Sequence, residues 1–205
     1  MKPETNEKVD RRVQRTRQLL SGALMSLIVE KGYDAITVQN IIDRANLGRS
    51  TFYAHYQDKE DLLLRGMENI VHSLIGDENV ARRDEGDEGD EETPRILSAV
   101  LIFQHAKEQH SLHKAMVGGR GIDVIIKTIQ THLSQHVEER IQELLPEGQT
   151  PSVPTQITAN YLAGTMLTLL TWWLDNNMPY SPERMDEIFQ ELAMPGVWAT
   201  IGVTP

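Results

Sequence analysis

The chain of 205 residues has no cysteine, which excludes disulfide bonds and thiolate metal sites. Aromatic residues are scarce, with three Trp, five Tyr and three Phe. Residues 1–17 are polar and charged and lack the apolar core of a signal peptide. Residues 157–174 carry no charge, but Asn160 and four threonines interrupt this run, which favours a buried helix over a membrane span. We therefore expect a cytoplasmic protein that does not enter a membrane.

Positive charge is scarce in most of the chain. The net charge is −10, yet residues 1–65 hold 11 Lys and Arg against 9 Asp and Glu. The other 140 residues hold 9 against 21. Acidic charge has little effect on an anionic partner beyond a Debye length of about 8 Å. The N-terminal cations that are able to contact such a partner, unless they form only a solvated helix face, are Arg11, Arg12, Arg15 and Arg17.

Residues 37–56 predict two short helices joined by a tight turn. Thr37 is a natural N-cap, and the apolar residues after it have the i, i+3, i+4, i+7 spacing of one buried helix face: Val38, Ile41, Ile42 and Ala45. Asn46 tolerates the left-handed backbone conformation that a reversal of the chain requires. Gly48 provides the next N-cap, so a second helix is predicted over residues 49–56.

The second helix has an apolar side, Phe52 with Tyr56, and a predicted exposed side of hydrogen-bonding groups. The exposed groups are Arg49, Ser50, Thr51, Tyr53 and His55. Such groups reach phosphates and base edges when a recognition helix enters the major groove of DNA. Asp58 is predicted to cap a further helix. Lys59 in the first turn of that helix opposes the helix dipole, which favours an external anionic partner.

These residues resemble the DNA-binding region of the TetR/AcrR family of bacterial transcriptional regulators, over residues 12–65. The resemblance is carried by Gly32, Thr37, Ile41, Ala45, Thr51, Phe52, Tyr53, Lys59 and Leu62. The DNA-binding residues that it implies are Thr37, Gln39, Arg49, Ser50, Thr51, Tyr53, His55 and Lys59. Bases are expected to meet Arg49, Ser50, Thr51 and His55, and phosphates Thr37, Tyr53 and Lys59. The sequence departs from the family pattern at Asn46, Gly48 and Ser50, so atypical base contacts are expected.

The chain is predicted to be all α. A three-helix helix-turn-helix head is expected at residues 1–58, and a helical regulatory and dimerisation body at 59–205. The predicted helices lie at about 10–31, 59–75, 94–109, 111–117, 121–145, 154–176 and 182–193, besides the two described above. The helix that begins at Lys59 is expected to be the only one packed against both head and body. Residues 84–92 read DEGDEGDEE, which predicts a disordered acidic loop.

The resemblance also implies a dimer and a ligand cavity in the body. The dimer interface of the family lies on the last two long helices, where the predicted residues are Leu162, Met166, Leu170, Met185 and Phe189. The residues predicted to line a cavity are Phe103, Met116, Tyr161, Met166 and Trp172, since methionine and aromatic side chains suit adaptable apolar sites. Ordinary core packing is the alternative for each of them. Trp172 and Trp173 point about 100° apart on a helix, so at most one faces a given cavity.

The sequence shows no catalytic motif. His132 and His136 have the i, i+4 spacing of a metal-binding pair, but the intervening glutamate of a zinc protease is missing. A structural or solvent-facing pair is therefore expected. The glycines at 118, 119 and 121 lack the strand and helix context of a phosphate loop. We expect neither an enzyme nor a bound metal or cofactor.

Together, the motif and the resemblance predict a homodimeric transcriptional regulator, most simply a repressor that a small ligand releases from a double-stranded DNA operator. A subgroup of the family with a TetR-like C-terminal domain is resembled by the segments GRSTFYAHYQDKEDLL, LHKAMVGGRG and TWWLDNNMPYSPERM. An activator or co-regulator of the same fold, controlled by a protein partner, is the alternative.

Overall fold

The computed structural model describes residues 4–84, 96–117, 119–146 and 148–202, which form nine α-helices and no strand. The helices are α1 (Glu4–Lys31), α2 (Val38–Ala45), α3 (Arg49–Tyr53), α4 (Lys59–Asp84), α5 (Val100–Glu108), α6 (His110–Met116), α7 (Arg120–Leu144), α8 (Thr155–Asp175) and α9 (Pro182–Ile201). The predicted all-α fold is confirmed. Of the predicted disordered loop at 84–92, only Asp84 at the end of α4 lies within the described residues.

The chain divides into two compact units. The first contains Met1–Met67 and Ser111–Ile125, and the second contains Glu68–His110 and Ile126–Pro205. The first unit is larger than the predicted head, because most of α6 and the start of α7 belong to it. Both α4 and α7 begin in the first unit and end in the second. The expectation that only the helix beginning at Lys59 is shared between head and body is therefore wrong.

The first unit is held together by the apolar faces that the sequence predicts. Its fully buried side chains include Leu20, Leu24, Ile28, Ile41, Phe52, Leu62 and Leu63. Burial of a side chain of this size contributes roughly 1.5–3 kcal/mol. α1 and α4 extend beyond their predicted ends, whereas α3 stops at Tyr53, with Ala54 as its C-cap.

The core of the second unit is built around aromatic residues. Phe103 of α5 and Trp173 of α8 are fully buried, and their rings meet edge to face with centroids 5.2 Å apart. Phe189 and Trp198 are buried on α9. Among the described residues, no helix has both the length and the apolar character that crossing a membrane requires.

The start of α5 depends on α9. Asp186 is 4% exposed, and its Oδ1 accepts a hydrogen bond of 2.7 Å from the backbone N–H of Ala99, the N-cap residue. Gln190 Nε2 donates to the carbonyl of Leu97 at 2.7 Å. These two contacts tie the non-helical residues before α5, of which Ile96, Leu97 and Ala99 are buried, to α9. α5 therefore begins later than the predicted residue 94.

α9 continues through a proline. The sequence predicts an end at Ala193, but the helix contains Pro195 and runs to Ile201. A proline inside a helix costs about 3 kcal/mol, because it removes a backbone donor and crowds the preceding turn. Pro195 lies on the exposed side, while Val197, Trp198 and Ile201 are buried. Burial of these three side chains offsets the cost of the proline.

Candidate nucleic-acid interface

A reciprocal pair of hydrogen bonds fixes the start of α2. Thr37 Oγ1 accepts from the backbone N–H of Asn40 at 3.2 Å, and Asn40 Oδ1 accepts from the backbone N–H of Thr37 at 3.1 Å. Lys31 Nζ of α1 donates to the same Asn40 Oδ1 at 2.7 Å. The predicted N-cap is confirmed. The capping box that Asn40 completes was not predicted from the sequence, although Asn40 occupies the position that Glu or Gln takes in that motif.

The predicted turn between α2 and α3 is confirmed. Asn46 has φ 52° and ψ 48°, the left-handed conformation. Its backbone N–H donates to the Asp43 carbonyl at 3.2 Å, and the Leu47 N–H donates to the Ile42 carbonyl at 2.9 Å. These bonds satisfy the last carbonyls of α2 while the chain reverses. Gly48, with φ −82°, then begins α3 as its N-cap.

α3 presents a polar side above an aromatic one. Phe52 is fully buried and Tyr56 is 5% exposed, as predicted. Burial raises the pKa of Tyr56, so this phenol stays neutral under physiological conditions. Arg49, Ser50 and Tyr53 are exposed, but Thr51 and His55 are only half-exposed. α3 therefore has an accessible polar side, and its DNA contacts remain predictions.

The charged residues of α2 are engaged within the protein. Arg44 Nη1 and Nη2 donate to Oε1 and Oε2 of Glu30, each at 2.6 Å, and Nη1 also donates to Ser26 Oγ. Gln39 Nε2 donates to Asp43 Oδ1 at 2.8 Å. Gln39 itself is exposed and stays a predicted DNA contact. Because Arg44 already has a carboxylate partner, Arg49 is the more suitable cation of this region for DNA.

Lys59 is held by backbone carbonyls of the first unit. Its Nζ donates to Ile36 at 2.8 Å, to Tyr33 at 3.0 Å and to Asp34 at 3.4 Å. It also lies 4.4 Å from the centroid of the Tyr33 ring. These carbonyls give the cation acceptors within the protein, in addition to the external anion that its place in the helix favours. A phosphate contact by Lys59 stays a prediction.

The residues predicted to line a cavity differ in the unit to which they belong and in their burial. Met116 belongs to the first unit and the other four to the second. Phe103 and Met166 are fully buried in the core, whereas Tyr161 is 53% and Trp172 47% exposed. Core packing, the alternative for each residue, describes Phe103 and Met166, and a ligand cavity lined by this set stays a prediction. Trp173, and not Trp172, is the tryptophan of this pair that faces the core.

The residues predicted for a dimer interface are packed inside one chain. None is more than 8% exposed, and all five belong to the core of the second unit: Leu162, Met166, Leu170, Met185 and Phe189. A second subunit has no access to them, so their assignment as contact residues is wrong. The exposed apolar residues are instead Ile157, Tyr161 and Trp172 on α8 and Leu192 on α9.

The histidine predicted to be half of a structural pair meets residues of another helix. His132 Nε2 of α7 lies 3.8 Å from Glu68 Oε1 of α4, and the rings of His132 and His72 have centroids 4.9 Å apart. In the described part of the chain, no three His, Asp or Glu residues are grouped so as to hold a metal ion. The structure therefore assigns these side chains to helix packing.

Two family profiles match the chain. Residues 19–65 match the bacterial regulatory proteins of the tetR family, and residues 97–195 match a transcriptional regulator C-terminal region. A relative from Bacillus subtilis, the uncharacterized HTH-type transcriptional regulator YxbF, is 24% identical over 188 residues. These residues are 91% of this chain and 46% of YxbF, so the chain spans about half the length of that relative.

Solved structures share the fold. The TetR transcriptional regulator from Streptococcus agalactiae superposes with a TM-score of 0.60 and 24% identity, over 92% of this chain and 98% of that one. The regulator FadR from Bacillus subtilis, solved in complex with stearoyl-CoA, gives a TM-score of 0.59 and 19% identity, over 87% and 98% of the two chains. The arrangement of helices is therefore that of known transcriptional regulators.

Proposed function

This chain belongs to the TetR family of bacterial DNA-binding transcriptional regulators, and we propose that it acts as a homodimeric repressor that a small ligand releases from its operator. The observation that carries this proposal is an uncharged, exposed face on α8 and α9. A regulator that binds chromosomal DNA acts in the bacterial cytoplasm, and we place this protein there.

The dimer is supported by apolar side chains of α8 and α9 that are exposed to solvent in the single chain. Ile157 is 59%, Tyr161 53% and Trp172 47% exposed, and their spacing places them on one side of α8. Leu192 on α9 is 67% exposed. Such contiguous apolar surface is typical of a protein interaction site. The uncharged residues that extend the two faces and permit close approach of helices are Gly164, Thr168, Gly196 and Ala199.

DNA recognition gives the dimer its function. α3 has only five residues, and a single recognition helix of this length makes too few base contacts for operator specificity. Two copies related by a two-fold axis read two half-sites about one helical turn of DNA apart. We propose base contacts from Arg49, Ser50, Thr51 and His55.

Release by a ligand requires that the ligand prefer the DNA-incompetent arrangement of the dimer, because equal affinity for both arrangements shifts nothing. The proposal is supported by the likeness in fold to FadR, which was solved with stearoyl-CoA. It is also supported by α4 and α7, which both run from the DNA-binding unit into the second unit. Together with the link between His110 and Ser111, the chain thus has three covalent connections between the two units.

Footprinting of full-length protein on the DNA that flanks its gene tests the central claim. We expect one protected segment with two-fold symmetry, and sedimentation of the free protein as a dimer. Equal affinity for this segment and for random DNA of the same length would contradict operator recognition. A monomer at concentrations that saturate the operator would contradict the dimer.

Transcription from the footprinted promoter with purified RNA polymerase decides the sign of regulation. A repressor lowers transcript yield, and an effector restores it. Stearoyl-CoA is a suitable first probe, with free CoA as the control. Higher transcript yield on addition of the protein, without any small-molecule response, would favour the activator controlled by a protein partner.

A further inference from the structure

The segment between α1 and α2, residues 32–36, is packed against the turn that joins α6 to α7. Gly121, the second residue of α7, lies with its backbone against the ring of Tyr33. A Cβ atom at Gly121 would be 2.8 Å from Tyr33 Cγ and 2.9 Å from Tyr33 Cδ1. Both residues belong to the first unit, and both are buried. The ring therefore occupies the space that any side chain at position 121 needs.

The Tyr33 ring has little freedom to move away. Lys59 Nζ lies 4.4 Å from the ring centroid and donates to the Tyr33 carbonyl at 3.0 Å, so a second residue also contacts Tyr33. Met116 Cε would also be 2.6 Å from a Cβ at Gly121, but the end of a methionine side chain moves easily. Tyr33 Cγ is one bond from Cβ and moves only with the backbone or with χ1. A larger residue at 121 therefore displaces Tyr33.

Tyr33 lies four residues before Thr37 in the chain and is hydrogen-bonded to the residue that precedes Thr37. The Ile36 N–H donates to the Tyr33 carbonyl at 3.1 Å, and Ile36 is 2% exposed. The next residue, Thr37, is the N-cap of α2. Tyr33 and Ile36 are both buried, and densely packed interiors transmit strain. Displacement of the Tyr33 ring is thus transmitted to the first turn of α2.

We propose that Tyr33 is a positioning residue for DNA recognition. Gly121 is the residue of α7 that fixes the position of the Tyr33 ring. α7 ends in the second unit, so a shift of this helix reaches Tyr33 at the contact with Gly121. The proposal rests on operator binding by the dimer, and it does not depend on the identity of any effector. The segment that supplies Met116 and Gly121 is thereby part of the DNA-binding apparatus.

The test compares Gly121→Ala with Gly22→Ala. Gly22 is exposed on α1 and a Cβ there meets nothing within 4 Å, so it controls for the added methyl group. Affinities of the full chain for operator and for random DNA are measured by fluorescence anisotropy at several salt concentrations. We expect Gly121→Ala to reduce the ratio of operator to random affinity roughly tenfold, because specific binding depends on the placement of base contacts.

Random DNA binding and the salt slope are expected to change little, since the substitution removes no cation. Gly22→Ala should retain the wild-type ratio. A wild-type ratio in folded Gly121→Ala overturns the proposal, as does an equal loss on both DNAs. If the wild-type protein itself shows no operator preference, the proposed operator recognition is wrong. This result differs from a failure of the proposed role of Tyr33, in which the wild-type preference is present and Gly121→Ala retains it.

A second pair of variants decides the question if Gly121→Ala does not fold. Tyr33→Leu keeps an apolar side chain but removes the ring that Lys59 and Gly121 contact, whereas Tyr33→Phe keeps the ring. We expect Tyr33→Leu to lower the operator-to-random ratio and Tyr33→Phe to retain it. Equal ratios in these two variants would refute a positioning role for the ring.

Discussion

Arg44 of α2 holds Glu30 of α1 through two parallel hydrogen bonds, Nη1 to Oε1 and Nη2 to Oε2, each 2.6 Å long. The hydrogen bond from Arg44 is the main cause that lowers the pKa of Glu30 below its usual value of 4.5. Folding therefore favours the ionised carboxylate. The pair contributes stability above the unfolded pKa, and this contribution is lost as the pH falls through the lower pKa of the folded state.

Glu30→Gln is expected to make thermal stability less dependent on pH in the acidic range. The effect at neutral pH should be small, because both side chains are exposed and water screens their attraction. Melting temperatures measured by circular dichroism from neutral to acidic pH check this. Glu60→Gln, at an exposed glutamate of the same unit, is the control and should keep the wild-type pH profile. Identical acid profiles for both variants would refute the prediction.

Lys59→Met is expected to destabilise the first unit. It keeps the aliphatic stem but leaves the carbonyls of Tyr33 and Ile36 without their charged donor. Hydrogen bonds to a charged group contribute about 1.5–3 kcal/mol each, and the half-exposed position of Lys59 favours a total loss of about 2 kcal/mol. Urea unfolding measures it, with Lys107→Met at an exposed site of α5 as the control.

The same Lys59 variant tests the predicted phosphate contact. If Lys59 also binds phosphate, the slope of log affinity against log salt falls by about 1. An unchanged slope with reduced stability would leave Lys59 with a purely structural function. An unchanged unfolding free energy would contradict a stabilising role for the hydrogen bonds from Lys59 to the carbonyls of Tyr33 and Ile36.

Two double variants separate the dimer surface from the core. Tyr161→Glu with Leu192→Glu places charges on the exposed face, and we expect helical monomers with weak operator affinity. Leu170→Glu with Phe189→Glu buries two unpaired carboxylates, which costs several kcal/mol and should unfold the second unit. Sedimentation and circular dichroism distinguish these outcomes. Persistent dimers in the first variant would place the interface elsewhere.

Trp172 and Trp173 should respond oppositely to truncation. Trp173 is fully buried against Phe103, and its Nε1 donates to the Tyr180 carbonyl at 3.0 Å. Trp173→Ala is therefore expected to lower the unfolding free energy by about 3–5 kcal/mol. Trp172→Ala should mainly raise the dissociation constant of the dimer. Denaturant unfolding at fixed protein concentration, with sedimentation alongside, checks both, and equal destabilisation by the two variants would be inconsistent with their different burial.

The sequence by itself determined the local order of the DNA-binding region. The cap at Thr37, the reversal at Asn46 and the burial of Phe52 depend on residues within a few positions of each other. Such short-range determinants act alike in any fold that contains them, and one apolar stripe per helix specified which side is buried. The same reasoning sufficed for the all-α class, since the helices are long and periodic.

Only the tertiary structure decided which side of each helix packs against which other part of the chain. α8 is apolar nearly all round, so its sequence has no periodicity to separate the buried Met166 from the exposed Tyr161. Lys59 and Gly121 likewise meet Tyr33 from positions 26 and 88 residues further along the chain. Contacts at such separation depend on how whole helices pack, and no pattern of neighbouring residues encodes them. Burial of a hydrophobic side chain is favourable in any fold. The packing of the whole chain determines whether that side chain is buried in the core of its own subunit or against a second subunit.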